Sequence, residues 1–314
     1  MYYPFIRGKQ FELVMLRDMA PNIASWGFVP IIEPVKENFP ALKRALDKLV
    51  ENKCRFILIA NPSVGELKAD SSSLWDEIFD GPLKDYDNFS AGLSLTANHS
   101  LETARDFFEA HSVPIAVIHG GFSDGKDLAT VIAEVNPNIT EHVFIGHDNI
   151  LYRKHFSGTT RVLVQDGFKS RSNREYPLSE PFSELYLTYM DRGCQGFGDF
   201  LIVGGDYKEG GGPAWAVAIH LTYTDPSADN AVAIKHYVST QVDSVGDPAG
   251  KFFEALQKLV IDVKSNQNLI YNTTAVKEYF DLYEKKHFPG LGYVKKLSMQ
   301  HHIELMAHLL IEGA

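Results

Sequence analysis

Short apolar runs alternate along the chain with longer segments in which apolar residues recur at helical spacing. The runs are nearly all apolar, as strands covered on both faces must be, and most intervening segments can hold one helix. This order predicts parallel βαβ units. The eight runs are Tyr3–Ile6, Phe28–Ile32, Phe56–Ala60, Ala91–Leu95, Ile115–Ile118, His142–Ile145, Arg161–Val164 and Phe200–Val203.

Eight such units over residues 1–212 predict an α/β fold, a (β/α)₈ TIM-like barrel. Ser100 can cap the helix after the fourth run, and Pro181–Met190 is predicted to be helical. An open, doubly wound sheet uses the same units. It is the weaker interpretation, because no G-x-G-x-x-G follows the first run and Gly210–Gly212 lacks the strand-to-helix context of a phosphate loop.

After Gly212 the pattern changes. Two apolar runs, Trp215–Tyr223 and Ala231–Val238, flank a polar turn and predict a β-hairpin at about 214–240. Helical periodicity follows from Pro248 and again over Val276–Leu310. We therefore expect residues 213–314 to form an appended hairpin and C-terminal helices that pack on the same domain.

The formal net charge of −10 argues against a broad, positively charged surface that could bind nucleic acid. The best local basic group, Lys169, Arg171 and Arg174, is short, so we expect no direct nucleic-acid binding. Two cysteines without a CxxC pair argue against disulfides and structural zinc and indicate a reducing compartment. Without a signal peptide or a membrane-length apolar run, we expect a cytoplasmic protein without membrane contact; self-association into a homo-oligomer is left open.

Three motifs carry a resemblance to a known family. They are Tyr3–Leu13, which reads YPFIRGKQFEL, Pro30–Val35, which reads PIIEPV, and Gly196–Phe200, which reads GFGDF. In combination they resemble the beta protein family, a group of poorly characterised TIM-barrel-like proteins of phages and bacteria. The resemblance extends to about residue 240. It implies a barrel and a role in phage defence beside a small nuclease-like partner, and it supplies no catalytic residues.

Candidate chemistry follows from position, because barrel enzymes place their active sites at the C-terminal ends of the strands. Polar residues close most of the apolar runs. A set of mixed carboxylates and imidazoles among them predicts a site for a divalent metal, with Glu33, His119 and Asp166 as ligands and Asp148 as a further catalytic residue. The full series is Arg7, Lys9, Glu33, Asn61, Thr96, His119, His147, Asp148, Gln165, Asp166 and Asp206.

Each of these residues also has a structural interpretation, since strand ends are polar in any barrel. Asp148 can cap a helix, and His147 and Asp148 would point to opposite faces of a continuing strand. Lys9 and Arg7 can bind a phosphate or carboxylate, with Asn61 and Asp206 as further ligand-binding residues. Equally, Arg7 and Lys9 can form a buried structural ion pair with Glu33 or Glu12.

Histidines outside the barrel are expected to be structural. His220 and His236 are predicted as strand residues, half-buried or at the surface, and His301, His302 and His308 as surface residues of the last helix. Asp199 is expected at the start of the eighth strand in a structural role.

Two functions remain open. One is a metal-assisted hydrolase or phosphodiesterase within a bacterial or phage-related defence module. The other is a non-catalytic barrel that senses a trigger or scaffolds a companion nuclease-like protein. The enzyme interpretation rests on analogy of fold alone.

Overall fold

The computed structural model describes residues 1–146, 149–210, 212, 214–266 and 269–312. The chain divides into two compact units. The barrel unit comprises Met1–Asp166 and Leu185–Phe200, and the sheet–helix unit comprises Gly167–Glu184 and Leu201–Ala314. Both units are therefore built from separate stretches of sequence.

Eight parallel strands form the sheet of the barrel unit, and each pairs with the next in the order of the chain. The α/β barrel prediction is confirmed. The strands are β1 (Phe5–Arg7), β2 (Ile31–Glu33), β3 (Phe56–Ile59), β4 (Phe89–Thr96), β5 (Ile115–Gly120), β6 (Ile139–Ile145), β7 (Thr160–Gln165) and β9 (Gly196–Asp199).

The barrel closes where β9 meets the residues that precede β1. Phe197 forms a parallel bridge with Tyr2, and its carbonyl accepts a hydrogen bond from the Tyr3 N–H at 2.8 Å. Gly198 allows this approach, because a Cβ atom there would lie 2.0 Å from the Tyr3 carbonyl oxygen. The last strand thus returns to the first.

Helices follow most of the strands of this unit. Ser100 caps α4 as predicted, with its hydroxyl accepting a hydrogen bond from the Thr103 N–H, and Gly27 ends α1 in the left-handed conformation. The helices are α1 (Gln10–Trp26), α2 (Pro40–Glu51), α3 (Ser72–Leu74, which continues into a π-helical turn), α4 (Leu101–Ala110), α5 (Gly125–Val135), α6 (Ile150–Lys154) and α7 (Leu185–Thr188).

The barrel interior is filled by alternate residues of its strands. Successive side chains of a strand point to opposite faces of the sheet, so the residues between these interior positions point outward toward the helices. Aromatic rings of Phe5 and Phe200 contact each other with centroids 4.7 Å apart. The interior cluster consists of Tyr3, Phe5, Val29, Ile31, Ile57, Ile59, Ala116, Ile118, Val143, Val162, Val164 and Phe200.

The sheet–helix unit contains a three-stranded antiparallel sheet in the order β10, β11, β8. The hairpin is confirmed, as β10 (Ala218–Asp225) and β11 (Ala231–Val238), and β8 (Ser179–Ser183) pairs with β11. Residues of β10 and β11, among them Ile219, Leu221 and Tyr237, form a core with the helices α8 (Pro248–Ser265), α9 (Thr274–Glu284) and α10 (Leu291–Ala307). A π-helical turn over His308–Glu312 follows α10.

Two predicted elements differ from the structure. The eighth barrel strand is Gly196–Asp199, and Phe200–Val203 follows it. Pro181–Met190 is helical only over Leu185–Thr188, because Ser179–Ser183 is the strand that joins β11. Consequently, segments 167–184 and 201–212 lie in the sheet–helix unit, whereas the sequence interpretation assigned them to the barrel. Among the described residues, no helix is both long and apolar enough to cross a membrane.

Candidate functional site

Glu33 is the centre of the polar contacts at the C-terminal ends of the first barrel strands. It ends β2, its side chain is 2% exposed, and it accepts a hydrogen bond from Arg7 Nε at 3.3 Å. The N–H and hydroxyl of Ser63 also donate to Glu33, at 2.9 and 2.8 Å. The structure therefore contains the ion pair that the sequence offered as one interpretation of Arg7, with Glu33 as the partner.

Arg7 sits between this carboxylate and an aromatic ring. The centre of its guanidinium lies 5.5 Å from the centroid of Phe200, and its side chain is 13% exposed. A cation over a ring face is attracted by the ring quadrupole, and the planar guanidinium suits this contact. Arg7 is thus held by its neighbours while part of it reaches solvent.

The polar contacts continue to the next two strands. Asn61 follows β3, and its amide exchanges two hydrogen bonds with the backbone of Ser94, one at 2.9 Å to the carbonyl and one at 2.7 Å from the N–H. Both polar ends of the Asn61 amide are therefore used to join β3 to β4. This geometry gives Asn61 a structural part at the strand ends.

His99 is a residue that the sequence interpretation missed. It lies after β4, half-buried, and its Nδ1 accepts a hydrogen bond from the Thr96 N–H at 3.0 Å. Burial lowers the pKa of His99, so the ring is favoured in its neutral form. With Nδ1 acting as the acceptor, the proton of the neutral ring lies on Nε2. The signal available in the sequence was Thr96-Ala97-Asn98-His99 directly after an apolar run.

His119 lies on the outer face of the barrel sheet. Its neighbour Ile118 belongs to the interior cluster, so His119 points the other way. It is fully buried against Phe144, with ring centroids 4.6 Å apart. Its Nδ1 lies 2.8 Å from the Tyr152 hydroxyl and its Nε2 lies 3.0 Å from Nδ1 of His142. Both ring nitrogens of His119 are therefore occupied by protein groups.

His142 completes this outer network. It is buried, and burial lowers its pKa to about 3, so it is neutral over the ordinary pH range. A neutral histidine pair can share one hydrogen bond without placing charge in the apolar layer. We assign His119, His142 and Tyr152 to the packing of α6 against the sheet.

The remaining predicted residues occupy different positions. Lys9 is half-buried at the start of α1, and Asp166 is exposed directly after β7. Asp206 is exposed and belongs to the sheet–helix unit. His147 and Asp148 lie outside the described residues.

The structure does not bring the predicted metal ligands together. Glu33 ends β2 within the contacts of Arg7 and Ser63, whereas His119 lies between the sheet and α6. Within the described part of the chain, no group of three or more His, Cys, Asp or Glu side chains is placed to hold a metal ion. Three hydrogen-bond donors follow strands at this end of the barrel, namely Arg7, which is paired with Glu33, Lys9, which lies two residues after it, and His99, which follows β4.

Asp199 also differs from its expected position. It is the last residue of β9 and not the first, and it accepts a hydrogen bond from the Tyr2 hydroxyl at 2.9 Å. Both residues are buried. This contact ties the final strand to the residues before β1 and accords with a structural role.

Comparisons with known proteins add no assignment. No protein-family model matches the chain, and no curated protein matches it.

Proposed function

We propose that this protein is the recognition and scaffold component of a phage-related defence module and that it works beside a companion nuclease-like protein. The defence context rests on the resemblance carried by Tyr3–Leu13, Pro30–Val35 and Gly196–Phe200. Of the two functions that this context allows, we favour the non-catalytic barrel over the metal-assisted hydrolase.

One observation supports this choice above the others, namely the position of His119. A hydrolytic metal centre needs three or more ligand atoms about 2 Å from one ion, with an open position for water. His119 is on the outer face of the sheet with both ring nitrogens bonded, and Glu33 is bonded to Arg7 and Ser63. Two of the three predicted ligands are thus committed to separate networks.

The strand ends suit recognition of an acceptor group. Arg7 carries a guanidinium that is paired with Glu33, Lys9 carries a positive charge two residues further along the chain, and His99 carries a donor on Nε2. Cationic side chains such as Arg7 and Lys9 bind phosphate or carboxylate groups, and a neutral N–H such as that of His99 can add a hydrogen bond to the same oxygens. The trigger in this proposal is a small molecule that carries such an anion.

A first experiment separates recognition from hydrolysis. Purified protein is assayed with Mn²⁺ and bis(p-nitrophenyl) phosphate, and Asp166→Asn is compared with Asp191→Asn, an exposed carboxylate on the loop before β9. We expect the wild-type protein to show no Mn²⁺-dependent hydrolysis that is lost in Asp166→Asn. Turnover that is lost in Asp166→Asn and kept in Asp191→Asn would establish the hydrolase and overturn the proposal.

A second experiment tests recognition and scaffolding together. Cells that express the chain with the nuclease-like protein encoded beside it are challenged with phage, and the two proteins are copurified. We expect Lys9→Ala to lower protection about tenfold, the loss of one charge-assisted contact, while the complex persists. Lys84→Ala, an exposed lysine before β4, serves as the control. Failure of the two proteins to copurify, or full protection by Lys9→Ala, would contradict the proposal.

A further inference from the structure

Two histidines of the sheet–helix unit face each other across neighbouring strands. The register pairs His220 of β10 directly with His236 of β11. Their Nδ1 atoms are 2.7 Å apart, so one hydrogen bond joins the two rings. Ile219 and Tyr237 belong to the apolar core with the helices α8 to α10, so the histidine pair, one position away, points to the other face of the sheet.

A carboxylate lies behind this pair. Nε2 of His236 is 3.2 Å from Oε1 of Glu180 on β8, and the side chain of His236 is fully buried. Arg171 donates to both oxygens of Glu180, at 2.9 and 2.8 Å. The ring of Tyr176 stacks on His236 with centroids 4.5 Å apart. Bonding on one side and stacking on the other fix the orientation of the His236 ring.

The hydrogen bonds determine where the protons lie. Glu180 is an acceptor, so His236 carries a proton on Nε2, and in its neutral form its Nδ1 is then an acceptor as well. His220 must therefore donate its Nδ1 proton to His236. This leaves a lone pair on Nε2 of His220, a half-buried residue. Among the described residues, no hydrogen-bond partner faces that atom.

The charges around the pair favour an anion. Lys169 lies 3.7 Å from Glu180 and is 61% exposed, and Arg171 is bound to the same carboxylate. Burial lowers the pKa of His220, and the charges of His236 and Lys295 on α10 lower it further. Burial also lowers the pKa of His236, while Glu180 opposes that shift. Lys169 and Arg171 both face Glu180, so two positive charges lie against one carboxylate at the Glu180 end of this network.

We propose that His220 is the proton-transfer residue of a second site, which binds a phosphate-bearing ligand and takes a proton from a water or hydroxyl oxygen at Nε2. In this step the O–H bond breaks and an N–H bond forms on Nε2 of His220. The Nδ1 proton of His220 passes to Nδ1 of His236, and the positive charge then rests beside Glu180. His220 contacts the ligand, and His236 and Glu180 are positioning residues. The site is independent of the function proposed for the barrel mouth.

The tautomers and the ligand are tested together by nitrogen NMR of the histidine rings, with phenyl phosphate as the probe. We expect protonated Nδ1 and bare Nε2 on His220, the reverse arrangement on His236, and a rise in the pKa of His220 when phenyl phosphate binds. A His220 ring protonated on Nε2, or ring shifts that millimolar phenyl phosphate leaves unchanged, would overturn the proposal.

Pairs of variants test which residues bind phenyl phosphate and which control the pKa of His220. Lys169→Ala is expected to weaken phenyl phosphate binding about tenfold, whereas Lys277→Ala, an exposed lysine of α9, leaves it unchanged. Glu180→Gln preserves an acceptor oxygen but removes the charge, so it should lower the proton affinity of His220 without abolishing binding. If Glu180→Gln leaves the pKa of His220 unaltered, the relay through His236 is wrong. The His236→Gln variant removes the middle residue of the relay, and its effect is measured in the same way, through the pKa of His220.

Discussion

A buried carboxylate is stable only where polar partners replace the water that it has lost. Glu33 has three such contacts, from Arg7 Nε and from the N–H and hydroxyl of Ser63. Glu33→Ala removes all of them and leaves the mostly buried Arg7 without this partner. We expect the free energy of unfolding to fall by about 3 kcal/mol, measured by urea denaturation.

A double variant serves as the control for Glu33. Replacement of both charges, in Arg7→Met with Glu33→Met, removes the ion pair without leaving one member behind. We expect it to recover most of the stability that Glu33→Ala loses, because a buried pair contributes little more than well-packed apolar side chains. A single variant as stable as the wild type would show that Glu33 is not satisfied by these contacts.

Residue identity at a strand end could be predicted from the sequence, but its direction was harder to assign. Glu33 and Ile31 lie on the inner face of β2. His119 directly follows the inward-pointing Ile118, so it lies on the outer face and contacts α6. The alternation of a strand decides this, and it can be applied as soon as one inward residue is known. His99 escaped attention because it lies in a loop, where no periodicity marks it.

Strand β9 shows why one element was misplaced. It reads Gly-Phe-Gly-Asp, so it lacks the apolar run that marks the other strands, and the apolar residues Phe200–Val203 directly follow it. Its glycines reflect the close approach of Tyr3, a contact between the two ends of the barrel that no local pattern records. Strand β8 contains Pro181 and pairs with β11 about fifty residues later, so it also lacked a local signal.

Closure of the barrel is tested at Gly198. A Cβ there would lie 2.0 Å from the Tyr3 carbonyl oxygen, a backbone atom that cannot rotate away, and 3.3 Å from a side-chain methyl of Val164. We expect Gly198→Ala to destabilise the barrel unit by about 3 kcal/mol or more, through strain of the kind caused by overpacking. Gly158, whose Cβ would meet nothing within 4 Å, is the matched control. Equal unfolding midpoints for the two variants would contradict this closure.

The start of α4 gives a smaller prediction at the same scale. Ser100 accepts a hydrogen bond from the Thr103 N–H at 3.2 Å, which satisfies one of the free donors of the first turn. Ser100→Ala should lower the free energy of unfolding by about 1 kcal/mol, and Ser100→Asp should restore most of it. Circular dichroism during urea denaturation measures both variants. A loss that Asp fails to restore would point to a role for Ser100 other than capping.

At the scale of the whole molecule, the chain crosses between the two units. The segment Gly167–Glu184 leaves the barrel unit after β7 and returns before β9, and it supplies a strand to the sheet of the other unit. The sequence pattern could locate most strands and helices, because each rests on local periodicity. It could not locate this crossing, since the pairing of Ser179–Ser183 with β11 depends on contacts between distant segments.

Both units contain buried histidines, and this makes stability depend on pH. Burial lowers the pKa of His142 in the barrel unit to about 3 and that of His301 in the sheet–helix unit to about 4, from an ordinary value of 6.5. In the unfolded chain both rings take up a proton below about pH 6.5, while the folded units exclude it. The stability that the two neutral rings contribute is therefore fully present above about pH 6.5. It is lost as the pH falls toward 4 for His301 and toward 3 for His142.

The expected slope is about 1.4 kcal/mol per pH unit for each ring inside its window. Between about pH 7 and pH 5, His142→Asn and His301→Asn should each reduce the loss of stability by up to about 2 kcal/mol. Hydrogen exchange of β6 amides reports the first variant and that of α10 amides the second, so that each unit is followed by itself. His155→Asn, at an exposed position, is the control. If both variants keep the slope of the wild type, the two rings already take up protons in the folded units, and their burial is not the source of acid sensitivity.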